Sequence, residues 1–296
     1  MIKNVIRKLK NRVTRYRLYV NPKIYRPSSK PFISGDSFRK MANHIFDETK
    51  TLNVKKVKKN DIVFVRSDLL KYYFENYHSE INQQYILISH NSDEKINRFY
   101  LKYIDDKIIH WFCFKLDFPM TTKITPIPAG LENKRYRVNG LVKNYLLFKN
   151  SIPEQNGILC SFNENTNYSE RKSLKMIALK HKEVSVINFE TPNKYLNSLI
   201  NFKYNLCPDG NGGESHRIWE SLIFNITPIV INNQMNLNFF NLGVPFLMLD
   251  SWSKLKDLNQ SDLDKLNKLN EDKSYEKFSS YKFWFELVNS KKQYSI

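Results

Sequence analysis

Short β-branched runs recur along this chain, separated by stretches of helical periodicity, and that alternation limits the fold more than any other feature. Asp61-Ile62-Val63-Phe64-Val65 reads as a buried strand, followed by helical spacing over 68–77. Gln84-Tyr85-Ile86-Leu87-Ile88-Ser89-His90 is a second strand, and Ile108-Ile109-His110-Trp111-Phe112 a third buried element. Lys123-Ile124-Thr125-Pro126-Ile127-Pro128 must be extended, because a residue preceding proline is pushed out of the helical region. The style repeats with Gly157-Ile158-Leu159-Cys160-Ser161-Phe162, a basic helix over 169–179, Val184-Ser185-Val186-Ile187 and Phe202-Lys203-Tyr204-Asn205-Leu206-Cys207. Thr227-Pro228-Ile229-Val230-Ile231 and Pro245-Phe246-Leu247-Met248-Leu249 complete the set. Strands alternating with helices predict parallel α/β sheets, in which ligands gather at the carboxyl ends of strands.

At 296 residues the chain is long enough for two such units, and the loop near 146–156 is the natural boundary between them. The expected organisation is a basic segment (1–30), two α/β domains (31–150 and 151–270), and a terminal helix (271–296). Over 275–288 that helix carries Phe278, Tyr281, Phe283, Trp284, Phe285 and Leu287, which predicts packing back onto the body.

Residues 1–30 hold ten Lys or Arg and no acid, whereas the other 37 basic residues exceed the 29 acidic ones by only 8. Ile2, Val5, Ile6, Leu9 and Val13 form one apolar helical stripe flanked by those cations. Such a helix suits an anionic membrane surface. Packing on the protein's own surface is the alternative, and nucleic-acid contact ranks last because the aromatic residues elsewhere do not interleave with basic clusters in a stacking pattern. No apolar run is long enough to span a bilayer. Cys113, Cys160 and Cys207 have no metal-ligand spacing and cannot all pair, so a reducing compartment is expected.

The stretch richest in chemistry is Cys207-Pro208-Asp209-Gly210-Asn211-Gly212-Gly213-Glu214-Ser215-His216-Arg217-Ile218-Trp219-Glu220. A glycine-rich turn from strand to helix lets backbone N–H groups and the helix start face a phosphate. Arg217 lies near that start, and Glu220, three residues on, shares its face. Turn, Arg and Glu together could grip a nucleoside diphosphate. A tight turn before an ordinary amphipathic helix is the alternative, since neither a dinucleotide fingerprint nor a phosphate-loop lysine is present.

These residues, with Thr227-Pro-Ile-Val, resemble the C-terminal motif of exostosin-like glycosyltransferases, particularly the short bacterial branch. Further blocks resemble that branch in order: Phe64-Val-Arg-Ser-Asp, Leu87-Ile-Ser-His-Asn-Ser-Asp, Trp111-Phe, Ile124 through Tyr136, Phe162-Asn-Glu-Asn-Thr-Asn and Leu249-Asp-Ser-Trp. The resemblance implies a GT-B architecture, two Rossmann-like domains facing an interdomain cleft, and inverting sugar transfer that needs no metal. The donor would be a nucleotide sugar, and the acceptor a glycan or lipid-linked glycan in surface-polysaccharide assembly at the inner face of the cytoplasmic membrane. Arg217 would neutralise the diphosphate, Glu220 would hold the ribose, and Gly210, Asn211 and Gly212 would form the turn. Ser215, His216, Arg171 and Asn163, with Asn165 and Asn167, would stand beside the donor. Asp209 and Gly213-Glu214 depart from the usual pattern, and a carboxylate at Asp209 would weaken diphosphate binding unless turned away.

Inverting transfer needs a base. Asp93, His90 and Glu132 are the candidates in that order, with helix capping by the 90–93 loop as the alternative for the first two. His110 is expected to be a satisfied core or edge residue, and His44, His78 and His181 to lie on helix-like surfaces, where the sequence shows no partner pattern for them. Asp262-Leu263-Asp264 reads as a solvated helix face rather than a metal site. A catalytically degenerate glycan- or nucleotide-sugar-binding protein is the competing functional class.

Overall fold

A computed structural model describes residues 26–150, 153–189 and 191–292. It contains two five-stranded sheets, both entirely parallel. The first comprises β1 (His44–Phe46), β2 (Ile62–Arg66), β3 (Tyr85–His90), β4 (Ile108–Phe114) and β5 (Ile124–Ile127), in that spatial order. The second comprises β6 (Ile158–Cys160), β7 (Val184–Val186), β8 (Tyr204–Leu206), β9 (Thr227–Ile231) and β10 (Leu247–Leu249), in the order β10-β9-β8-β6-β7.

The sheets share a class but not a winding. Strand order in the second reverses between β6 and β8, as in doubly wound sheets, and opens a crevice at their carboxyl ends. The first runs straight through without reversal, so it is not a second copy of the same unit. Right-handed crossovers between sequential parallel strands keep to one face. Val63, Val65, Leu87, Trp111 and Cys113 accordingly pack against residues of all four connections, among them Val57, Leu70 of the short helix α2 (Leu70–Tyr73), Phe74, Tyr100 and Phe118.

The opposite face, with Ile62, Phe64, Ile86, Ile88 and Phe112, must be covered from elsewhere. Its cover comes from α1 (Gly35–Met41), α6 (His216–Ile223), α7 (Gln234–Asn241) and the C-terminal pair α9 (Tyr275–Ser279) and α10 (Tyr281–Asn289). The aromatic C-terminal segment thus packs back on the body, as two helices broken at Ser280 rather than one. Trp284 and Val288 are fully buried in this shared core, and the Trp284 indole donates to the Phe278 carbonyl at 2.8 Å.

Other expectations need correction. Neither α1 nor β1 follows from the apolar pattern, and α3 (Val142–Lys149) occupies the first part of the expected boundary loop. The stripe from Ile2 to Val13 lies outside the described residues. Arg26, at the other end of the basic segment, is built into the body, bonded to Asp36 at 3.1 Å and to Glu48. Lys30 sits over the Tyr281 ring at 4.1 Å. The three cysteines are free and buried. Among the described residues no helix is long and apolar enough to cross a membrane.

Candidate functional site

The crevice of the second sheet opens into a cavity of about 920 Å³ whose lining comes from both sheets. The second sheet contributes the loop from β6 to α4 (Tyr168–Ala178), the start of α5 (Pro192–Leu199), and the turn from β8 into α6. The first contributes Phe114 at the end of β4, with Asp93, Lys115 and Ala129 from beyond the carboxyl ends of its strands, and Val138, Asn139 and Tyr145 follow them in the chain.

The start of α6 is set locally. Ser215 takes extended backbone as N-cap, and its hydroxyl accepts the Arg217 N–H at 3.4 Å. Arg217 and Glu220 then project into the cavity from successive turns. Arg217 is half-buried, its guanidinium 4.5 Å from the centre of the Tyr195 ring. No carboxylate of the described residues lies within 4.0 Å of its nitrogens. Glu220 is buried and accepts the Tyr145 hydroxyl at 3.0 Å. His216, beside them, has Nδ1 2.7 Å from the Gly130 carbonyl oxygen.

The glycine turn serves close packing. Gly212 has φ +75°, and a Cβ there would lie 2.6 Å from both the Asp93 carbonyl oxygen and the Lys115 ammonium. The turn is therefore pressed onto the first half of the chain. Lys115 Nζ donates to Asp93 Oδ1 and to the Asn211 carbonyl, each at 2.6 Å. Gly210 and Asn211 line the cavity, whereas Gly212 does not.

Arg171 lines the cavity with its donors already committed, to the carbonyls of Asp209 (2.9 Å), Asn163 (2.9 Å) and Pro208 (3.3 Å). Burial, and then the neighbouring Arg217, lowers its pKa to about 10. It ties the β6 loop to the β8 turn. Asn163 Oδ1 accepts the Asn165 N–H at 3.0 Å, and Asn167 donates to Glu170 at 2.5 Å, so both shape the same loop. Asp209 is turned away, accepting from Asn233 at 2.9 Å, and burial followed by Glu170 raises its carboxyl to about 7.

Of the three expected bases, only Asp93 lines the cavity, paired with Lys115. His90 is packed between Phe38 and Phe114, with Nε2 2.9 Å from the Pro128 carbonyl oxygen and Nδ1 accepting the Asn91 N–H at 2.6 Å. Burial lowers its pKa to about 3, so the ring is neutral with both nitrogens engaged. Glu132 lies off the cavity and accepts the N–H groups of Asn139 (2.7 Å) and Gly140 (3.3 Å).

His44, His78 and His181 do have partners. They are Asp61 at 2.7 Å, Tyr85 and Asp105 at 2.8 and 3.1 Å, and the Leu258 carbonyl at 2.7 Å. His110 is buried against Thr125 at 2.8 Å. Asp262 caps α8 (Gln260–Asn267), while Asp264 binds Lys203 at 2.9 Å and accepts the Tyr204 hydroxyl at 2.5 Å. No group of three or more His, Cys, Asp or Glu among the described residues could hold a metal ion.

No motif marks Lys115, Tyr145, Tyr195 or Glu214 as a site residue. Glu214 alone carries a signal, as a departure from the usual turn. It is buried, and its Oε1 accepts the Ala129 N–H at 2.7 Å and the Trp219 indole N–H at 2.6 Å.

No protein-family model and no curated protein matches the chain, so the exostosin-like resemblance rests on its motif residues. Among solved structures it is similar to one titled "Crystal structure of GtfA/B complex", at 10% identity and a TM-score of 0.36. That match covers 80% of this chain and 58% of the other.

Proposed function

We propose that this protein is an inverting GT-B glycosyltransferase, moving a sugar from a nucleotide-sugar donor to a glycan or lipid-linked acceptor. The observation that carries the reading is Arg217, a guanidinium with no carboxylate within 4.0 Å among the described residues, in a large polar cavity at the strand-order reversal. A diphosphate supplies the charge that this group lacks, and the fork of Arg suits phosphate oxygens. Glu220, held by Tyr145 on the same helix face, is placed to accept from ribose hydroxyls. The leaving diphosphate is stabilised by Arg217 and the start of α6 rather than by a metal ion. Lining residues from the first sheet form the acceptor side. The basic segment brings the enzyme to an anionic membrane surface, with Arg26 fixing its root to the body.

The test is release of nucleoside diphosphate from a panel of nucleotide sugars, with and without glycan acceptors. Acceptor-dependent release by the wild type, lost in Arg217→Ala, supports the proposal. Nucleotide-sugar binding without any release would favour a degenerate binding protein instead.

A further inference from the structure

Resting on that transfer reading, we infer that Glu214 is the group that takes the proton from the acceptor hydroxyl. It sits between the glycine turn and the α6 N-cap, on the part of the cavity wall where the two halves of the chain meet. Its Oε1 is committed twice, to a backbone N–H of the first half (Ala129) and to an indole of α6 (Trp219). These two bonds fix the carboxyl group. Its Oε2 is buried and has no hydrogen-bond partner among the described residues. An unpaired buried carboxyl oxygen is costly, and a ligand hydroxyl is the partner it lacks.

The rival acids are otherwise occupied. Asp93 is 75% exposed along its side chain and tied to Lys115, so its carboxylate is solvated and paired. Glu220 binds Tyr145 beside Arg217, and Asp209 is held by Asn233. Burial raises the Glu214 carboxyl to about 7, with Asp209 adding to the shift and Ala129, Trp219 and Lys115 opposing it. A base of that strength is matched to neutral pH.

In the step, a lone pair of the acceptor hydroxyl oxygen forms the bond to the anomeric carbon while its proton passes to Glu214 Oε2. The bond from that carbon to the diphosphate oxygen breaks. Its electron pair leaves with the nucleoside diphosphate, opposite Arg217. Glu214 then releases the proton to solvent as product departs.

Glu214→Gln is the decisive variant, because its amide oxygen can still accept from Ala129 and Trp219. We expect kcat to fall roughly 10²–10⁴-fold, with nucleotide affinity within a few-fold of wild type. The wild-type rate should rise with pH to a plateau above about 7. The residual rate of Glu214→Gln should be flat over that range, and Glu214→Asp should recover part of both rate and pH limb. The assignment is overturned if Glu214→Gln keeps kcat within about threefold and retains the limb, or if the limb disappears in Asp93→Asn alone. If the wild type binds no nucleotide and transfers nothing, the transfer reading fails and this assignment with it. Loss of turnover confined to Glu214→Gln, with binding intact, separates the two.

Discussion

Lys115 Nζ lies 2.6 Å from the Asn211 carbonyl oxygen, joining residues 96 positions apart, one following β4 and the other in the glycine turn before α6. The ammonium is buried, with its side chain 2% exposed, and it bridges onward to Asp93. Lys115→Met keeps the apolar stem but leaves the Asn211 carbonyl without its donor. We expect a loss of about 1–3 kcal/mol, measured as a lower urea midpoint with an unchanged slope.

Gly212 tests the same contact from the other side. An alanine there would place Cβ 2.6 Å from both the Lys115 ammonium and the Asp93 carbonyl, at φ +75°. Gly212→Ala should cost about 1–3 kcal/mol. Because one obstructing atom belongs to Lys115, the double variant with Lys115→Met should cost less than the sum of the two, and a double-mutant cycle reads the difference.

Burial raises the carboxyls of Glu214 and Asp209 to about 7 in the folded chain. Both therefore bind protons more tightly folded than unfolded. Their contribution to stability is greatest at acid pH, declines as pH rises toward about 7, and levels off above it. Glu214→Gln removes this loss, so relative to wild type it should gain stability between pH 5 and pH 8, by at most about 3 kcal/mol. The buried His90, with its lowered pKa, slopes the opposite way. Comparing variant with wild type cancels that contribution, and thermal melts at the two pH values give the answer.

Because the crossovers of the first sheet leave one face to be covered from elsewhere, Trp284 is a structural keystone. It is fully buried against the cluster containing Phe38, Phe64 and Trp219. Trp284→Ala should cost about 3–5 kcal/mol, and Trp284→Phe less, because only the indole bond and part of the volume are lost. Chemical denaturation of the two variants checks the order.

How much could be read from sequence follows from the range of each interaction. Strands β2, β3 and β4 are buried on both faces, so they read as continuous apolar runs. β1 has three residues, too few for a pattern, and α1 holds buried Asp36 and Arg39, whose partners Arg26 and Asp47 lie outside the helix. Arg217 and Glu220 were legible because a turn and a helix place them locally. Lys115 and Glu214 were not, because Asn211 and Ala129 are brought to them by the fold. The Asp209 carboxyl is turned aside by Asn233, a residue 24 positions on, which no motif announces.

The central claim is that Arg217 holds a diphosphate. Equilibrium titration of the full chain with UDP, GDP and CDP and their sugar forms, followed by calorimetry and by the shift in melting temperature, tests it most directly. The account predicts that one nucleotide binds and stabilises the wild type, and that Arg217→Ala weakens it by about 10–100-fold, the worth of a hydrogen-bonded charge. Equal affinity in wild type and Arg217→Ala, or no binding of any nucleotide at millimolar concentration, would contradict it.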